Sequence, residues 1–141
     1  MSITPDDIFK TASSLATATL GNISTEADLR SAASRAYYAA LHAADLSIPV
    51  ALKPSETEKG SKGSHQVIID AMVSWSKGAY QGRSDARDMA RNLTKLKRVR
   101  KKADYLIDED FSLPEAAEAV ATASGIMQNA QSALRLCLLT A

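Results

Sequence analysis

Residues 24–46, STEADLRSAASRAYYAALHAADL, form the stretch of sequence that decides the fold. Either Ser24 or Thr25 can cap the start of a helix there, because a side-chain hydroxyl accepts a hydrogen bond from an otherwise unpaired backbone N–H. Glu26 and Asp28 follow in the first turn, where the positive end of the helix dipole favours acidic side chains. The stretch therefore predicts one long helix ending near residue 46.

Helices are also predicted on both sides of this one. An opening helix begins near Thr4, where Thr-Pro-Asp-Asp supplies a cap, an early proline and an acidic residue, and it ends at Gly21. Further helices are expected from Ser64 to about Gly78, from about residue 84 to 107, and from the capping box Ser112-Leu-Pro-Glu almost to the end. The proline-containing segment 47–63 is predicted to be a long surface loop.

Composition agrees with a helical protein. The chain has 141 residues, is 45% hydrophobic and only 5% aromatic, and alanine dominates its apolar part. This length fits one domain, and alanine lets helices approach closely. We expect an all-α fold in which residues 1–141 form a single antiparallel bundle of four to five helices.

Charge and targeting signals exclude several classes of protein. The net charge of +1 excludes a uniformly basic nucleic-acid binder. The sequence shows no signal peptide and no apolar run of the ~20 residues that span a bilayer, so no membrane association and a cytoplasmic location are expected. The single cysteine, Cys137, is expected to be a small buried hydrophobe. With only two histidines, neither a metal site nor another cofactor is predicted.

The helix predicted from residue 84 to 107 carries an arginine at an apolar position. Its core positions, spaced by three and four residues, are Met89, Leu93, Leu96, Arg100, Ala103 and Ile107. Arg100 is therefore predicted to point inward, where an unpaired charge is costly and Asp104 is the nearest candidate partner. Two interpretations stay open. Arg100 extends to the surface and forms a structural ion pair with Asp104, or it lines a polar pocket in which it holds a phosphate or a developing negative charge.

The 24–46 helix carries a matching polar stripe of Ser31, Arg35, Tyr38 and His42. Such a stripe suits either the wall of a pocket or an ordinary solvent-exposed face. His65, at the start of the next long helix, can bind an anion together with free backbone N–H groups, or it can simply be solvated.

Basic residues are concentrated around Arg100. Arg98 and Lys101 flank it, and a stripe runs along one face of the helix through Arg87, Arg91, Lys95, Arg98 and Lys102. This stripe either follows a nucleic-acid backbone or is a solvated face neutralised by Asp85, Asp88 and the acidic run 108–110.

Three segments in this order resemble the HEPN superfamily: SRAYYAALHAA at 34–44, GSH at 63–65 and RKKADY at 100–105. The resemblance is to small stand-alone bacterial and archaeal members and extends from about Leu29 to Ala133. It implies a bundle of four or five helices, a homodimer and partnership with a minimal nucleotidyltransferase in toxin–antitoxin-like pairs.

Many members of that superfamily are metal-independent ribonucleases that use an arginine followed, after four to six residues, by a histidine. Here Asp104 and Tyr105 stand where that histidine is expected, and a tyrosine is a poor general base at neutral pH. His42 or His65 would have to supply the imidazole from another helix. Binding therefore carries over from the resemblance more readily than cleavage.

These observations lead to three functional hypotheses. The first is a HEPN-type nucleotide- or RNA-binding module whose catalytic-type residues are Arg100, Asp104, Tyr105 and His42. The ligand would be bound by Arg35, Tyr38, His65, Arg98 and Lys101. The second is a metal-independent endoribonuclease with its site at a homodimer cleft, and the third is a non-catalytic dimeric module that binds a protein partner.

Overall fold

A computed structural model describes residues 3–17 and 25–139, and all regular secondary structure within them is helical. In chain order the elements are α1 (Pro5–Thr17), α2 (Glu26–Ser47), a 3-10 helix (Val50–Leu52), α3 (Glu56–Lys62), α4 (Ser64–Lys77), α5 (Arg83–Tyr105) and α6 (Leu113–Leu139). The all-α prediction is confirmed, whereas the antiparallel order of the neighbours stays a prediction. The predicted end of the first helix at Gly21 and the alternative cap Ser24 lie outside the described residues.

Helix starts follow the capping residues of the sequence. The backbone N–H of Asp7 donates to Thr4 Oγ1 at 3.1 Å, and the backbone N–H of Thr4 donates back to Asp7 Oδ2 at 3.0 Å. Equivalent reciprocal pairs form at Thr25 and at Ser112, each with the acidic residue three positions later. The predicted caps at Thr4 and Thr25 and the predicted capping box at Ser112 are therefore confirmed, since each needs only local chain geometry.

The segment 47–63 is not the irregular loop that its prolines predicted. It contains the 3-10 helix and α3, and Ser55 caps α3 by accepting a hydrogen bond from the backbone N–H of Glu58 at 3.1 Å. The Ser-x-x-Glu spacing at 55–58 was the overlooked signal. The predicted cap of α4 at Ser64 is also wrong, because the N-cap is Gly63, whose φ of 83° suits glycine and turns the chain directly from α3 into α4.

Helix α2 lies at the centre of the packing and contacts α1, α4, α5 and α6. It can do so because alanines cover several of its faces and leave room for neighbouring backbones. The α2 alanines with no exposed surface are Ala32, Ala33, Ala36, Ala39, Ala40 and Ala44. Its tyrosine-bearing face is thereby held against α4 and α5.

One predicted core position is exposed. Ile107 is 73% exposed because α5 ends at Tyr105, two residues before it. The side chain of Cys137, predicted to be buried, lies outside the described side chains. Within the described ranges, no helix has both the length and the apolar character needed to cross a bilayer.

Candidate functional site

Arg100 is buried, as its position in the apolar spacing of α5 predicts. Only 6% of the residue is exposed, and the other predicted positions of that face from Met89 to Ala103 are buried with it. The guanidinium carbon lies 5.3 Å from the ring centre of Tyr37, 5.9 Å from Tyr38 and 5.5 Å from Tyr105. Three aromatic rings therefore surround the cation, and their negative faces partly compensate for the lost hydration.

The polar contacts of Arg100 join three helices. Its Nη1 donates to the Tyr105 hydroxyl oxygen at 3.2 Å and, weakly, to Asp104 Oδ2 at 3.5 Å. Its Nη2 lies 3.4 Å from Nδ1 of His65, which α4 supplies. The Ser34 hydroxyl on α2 donates to the same Asp104 oxygen at 3.2 Å. The interpretation that Arg100 extends to the surface is therefore wrong, because the residue is buried, although the ion pair with Asp104 that it included does form. Arg100 lies within a polar cluster.

The contact with Arg100 determines the protonation of His65. A guanidinium has only donors, so Nδ1 of His65 has to accept, which places the proton of the neutral ring on Nε2. Burial lowers the pKa of His65, and the positive charges of Arg100, Lys97 and His42 lower it further. His65 is therefore neutral at pH 7.

The positively charged side chains of Lys97 and Lys101 lie near this cluster. The pKa of Lys97 is lowered by burial and then by the charges of Lys101 and Arg100. Lys97 also donates through Nζ to Gln66 Oε1 at 3.1 Å, which ties α5 to the first turn of α4. Asp104, the one carboxylate partner of Arg100 among the described residues, balances the charge of that arginine. Lys97 and Lys101, opposed by Asp70, leave one net positive charge around the cluster.

Two buried polar atoms in the cluster form no well-aligned hydrogen bond with any described residue: the hydroxyl of Tyr37 and Nε of Arg100. Buried polar groups are normally paired because losing water without a replacement costs free energy. Burial raises the pKa of Tyr37 to about 12, and the charge of Arg100, together with a weak, poorly aligned hydrogen bond from its guanidinium, opposes part of that rise. The centre of the cluster is therefore incompletely satisfied.

A cleft of about 510 Å³ opens beside the cluster, between α2 and α5. Tyr38 and Asp104, both in contact with Arg100, form part of its wall, and Arg35, Ser31 and Ser34 continue that wall along α2. The polar stripe of α2 is thus largely exposed, with Tyr38 half-buried where it meets Arg100.

The structure brings together only some of the predicted site residues. Arg100, Asp104, Tyr105, His65 and Tyr38 are in contact, and Arg35 shares the cleft.

The remaining predicted site residues lie apart from that group or at its edge. His42 is exposed, and among the described residues its link to the cluster is a small lowering of the pKa of His65. Lys101 is exposed and acts through the pKa of Lys97. Arg98 lies in a different cleft, with Glu115 and Glu118 of α6.

The basic stripe of α5 faces carboxylates. Lys102 pairs with Glu115 at 2.7 Å and Lys95 pairs with Glu118 at 2.9 Å, both across to α6. Arg91 pairs with Asp88 at 3.1 Å on α5 itself. This pairing favours the interpretation of the stripe as a neutralised face, although mainly through α6 and not through the acidic run 108–110.

The sequence interpretation missed Tyr37, Ser34 and Arg30. Tyr37 lies on the apolar face of α2, and nothing in the sequence indicated that its ring would lie against a cation. Arg30 and Ser34 precede Tyr38 by eight and four residues, so helical spacing already put all three on one face. Arg30 uses that position to bind backbone carbonyls at the end of α5.

Comparison of the chain with models of known protein families, with curated proteins and with solved structures found no match. The family of the chain is therefore not assigned by similarity.

Proposed function

We propose that this chain is a HEPN-type module that binds a nucleotide or RNA through a phosphate group at the Arg100 cluster. One observation carries the proposal: a buried guanidinium has a single carboxylate partner at 3.5 Å and an unpaired Nε, in surroundings with excess positive charge. An arginine in this state gains from a phosphate, because charge-assisted hydrogen bonds are strong where water is partly excluded.

The cleft next to the cluster has the right chemistry for the rest of such a ligand. The cations of its wall are Arg35 and Arg30, of which Arg30 is already bonded to backbone carbonyls of α5. The Ser31 and Ser34 hydroxyls can bind phosphate or ribose oxygens. Tyr38 offers an aromatic ring for stacking. The HEPN resemblance of the 34–44, 63–65 and 100–105 segments supports the same assignment.

The test compares two arginines on one helix. Arg100→Ala should weaken binding of a fluorescent single-stranded RNA at low salt by about tenfold or more, a loss of about 1.4 kcal/mol. Arg98→Ala removes the same charge from the other side of α5 and should change the Kd less than about threefold. The circular-dichroism spectrum should stay helical in both variants.

Arg100→Lys is the second variant, because it keeps a charge in the buried site. It should still bind more weakly than the wild type, since lysine lacks the planar fork of donors. Equal affinity of the wild type and Arg100→Ala, or equal losses in Arg98→Ala and Arg100→Ala, would refute the proposal.

A second candidate, metal-independent RNA cleavage, is favoured by the 3.4 Å contact between Arg100 and His65. In this reaction Arg100 turns from Nδ1 of His65 to the phosphate, and the freed Nδ1 of the neutral imidazole takes the proton of a ribose 2′-hydroxyl. The 2′-oxygen bonds to phosphorus, and the bond to the 5′-oxygen breaks, with that oxygen taking a proton from water to leave as a hydroxyl. The arginine stabilises the negative charge that develops on the phosphoryl oxygens. A lowered pKa keeps His65 in the basic form that this step needs at pH 7.

Cleavage is tested with EDTA present. His65→Ala should then abolish cleavage of RNA and leave RNA binding within about threefold, whereas His42→Ala should retain both. Cleavage that survives in His65→Ala, or that requires a divalent metal, would exclude His65 as the base.

The HEPN assignment also implies an antiparallel bundle that forms a homodimer and acts as the toxin-like half of a pair with a minimal nucleotidyltransferase. The support for this part is the resemblance alone. Light scattering of the purified chain tests the dimer, and co-expression with a candidate nucleotidyltransferase tests the pair.

A further inference from the structure

The connection between α5 and α6 exposes apolar side chains. Leu106 is 47% exposed, Ile107 is 73% exposed, and Leu113, the first residue of α6, is 43% exposed. We call residues 106–113 the apolar–acidic turn. Single exposed hydrophobic residues are common, but three within eight consecutive positions are a concentration of the kind that marks interaction sites.

Hydrogen bonds from Arg30 of α2 fix the backbone of this turn and of the end of α5. Arg30 donates through Nη1 to the carbonyl oxygens of Lys102 and Ala103, each at 3.0 Å, and of Leu106 at 3.3 Å. Its Nη2 donates to the carbonyl oxygen of Glu109. One arginine therefore fixes both the end of α5 and the middle of the turn.

Phe111 provides a second anchor. It is 3% exposed, its backbone N–H donates to Glu26 Oε1, and the Arg30 guanidinium lies 5.5 Å from its ring centre. The turn buries a phenylalanine, and Arg30 binds the carbonyl oxygens of Leu106 and Glu109. The side chains of Leu106 and Ile107 nevertheless remain exposed to solvent. A surface ordered in advance loses little conformational entropy when a partner binds.

Asp108, Glu109 and Asp110 lie directly beside the exposed apolar residues. Among the described residues, no ion pair involves these carboxylates. Their charge repels nucleic-acid phosphates, so this surface is distinct from the proposed RNA site. It also disfavours a symmetric contact between two copies, which would place six carboxylates against one another.

We propose that the apolar–acidic turn is a docking surface for a segment of another protein that carries apolar side chains flanked by lysine or arginine. The apolar side chains cover Leu106, Ile107 and Leu113, and the basic ones neutralise the carboxylates. Charge complementarity selects this partner over a second copy of the chain.

The test uses the full chain to select binders from a random linear-peptide phage library. The soluble Ile107→Ser variant is added in excess as a competitor. It removes peptides that bind elsewhere on the protein, so that only peptides depending on this turn are retained. Selected peptides should combine leucine, isoleucine or phenylalanine with lysine or arginine. Failure to enrich any Ile107-dependent peptide, or enrichment of peptides without basic residues, would overturn the proposal.

A selected peptide is then synthesised with a fluorophore and its Kd is measured by anisotropy. Ile107→Ser and Asp108→Lys should each raise the Kd by about tenfold or more. Val50→Ser is the matched control, because Val50 is 87% exposed and lies elsewhere, and it should change the Kd less than about twofold. Equal affinity of the Ile107→Ser variant would also refute the proposal.

Two further measurements separate the alternatives. Arg100→Ala should bind the peptide like the wild type, so failure of RNA binding and failure of peptide binding are distinguishable. Light scattering should show that Ile107→Ser leaves the oligomeric state unchanged. A dimer that dissociates in Ile107→Ser would identify a second copy as the occupant and refute a distinct partner.

Discussion

Replacing Tyr37 by phenylalanine should stabilise the protein, because it deletes a buried hydroxyl that forms no well-aligned hydrogen bond with any described residue and only a weak contact with Arg100. Tyr37 has no exposed surface, and its hydroxyl lies among the rings and guanidinium of the Arg100 cluster. Phenylalanine keeps the ring, and therefore the contact with Arg100 and the packing against His65. The substitution is nearly isosteric, so it leaves no cavity.

The expected size follows from the cost of burying an unpaired hydroxyl, which is about 1–3 kcal/mol in protein mutational data. The charge of Arg100 interacts favourably with the hydroxyl dipole and offsets part of that cost. We therefore expect Tyr37→Phe to raise the free energy of unfolding by about 1 kcal/mol. For a domain of this length, that corresponds to a Tm increase of about 3 °C.

Urea unfolding followed by circular dichroism measures this change. The midpoint should shift and the m-value should stay constant, because the surface exposed on unfolding is the same. Tyr80→Phe is the control, since Tyr80 is 41% exposed, and its effect should stay within about 0.5 kcal/mol. A loss of stability in Tyr37→Phe would show that the hydroxyl is hydrogen-bonded, and would refute the reasoning.

Alkaline pH provides a second readout for the same residue. Burial raises the pKa of Tyr37 to about 12, whereas an unfolded tyrosine ionises near its ordinary value of 10.0. The unfolded chain therefore loses this proton first, so the free energy of unfolding of the wild type falls as the pH rises from about 10 toward 12. Tyr37→Phe should show a smaller loss of stability over that interval.

Three further predictions concern His65, Arg30 and Gly82. Burial and nearby cations lower the pKa of His65 below its ordinary value of 6.5, so the unfolded chain binds the proton more readily than the folded one. The free energy of unfolding of the wild type should therefore decrease as the pH falls below about 6.5, and this decrease should be smaller in His65→Gln. NMR titration of the ring should give a midpoint below 6.5. Arg30→Met removes charged donors from several backbone carbonyls and should lower the free energy of unfolding by about 2–3 kcal/mol, measured in urea. Gly82→Ala should cost about 1–3 kcal/mol, because φ is 82° and the new Cβ would lie 3.0 Å from the Trp75 ring; an unchanged Tm would contradict this.

Helix starts were predictable because their causes are local. Thr4, Thr25 and Ser112 each cap a helix through a residue three positions later, and that pairing is visible in the sequence. The same rule applied to Ser55 would have found α3 within the segment predicted as a loop. The prolines at 49 and 54 led instead to the prediction of a loop, although a proline before a cap does not prevent a helix from starting.

Helix ends and exposed core positions were harder to predict. The apolar spacing of α5 continues to Ile107, but the chain leaves the helix after Tyr105, where Arg30 binds the last carbonyls. That arginine is 73 residues from Ala103 in the sequence. A contact over such a distance leaves no mark on local periodicity.

The sequence by itself determined the helical class, the capped starts of α1, α2 and α6, and the inward direction of Arg100, since these depend on spacing within one helix. Tertiary structure alone decided which side chains meet that guanidinium. His65 rather than His42 lies against it, Tyr37 lies beneath it, and Arg98 faces the acidic residues of α6. Helical spacing specifies a direction on one helix, whereas the neighbour met in that direction depends on how all the helices pack together.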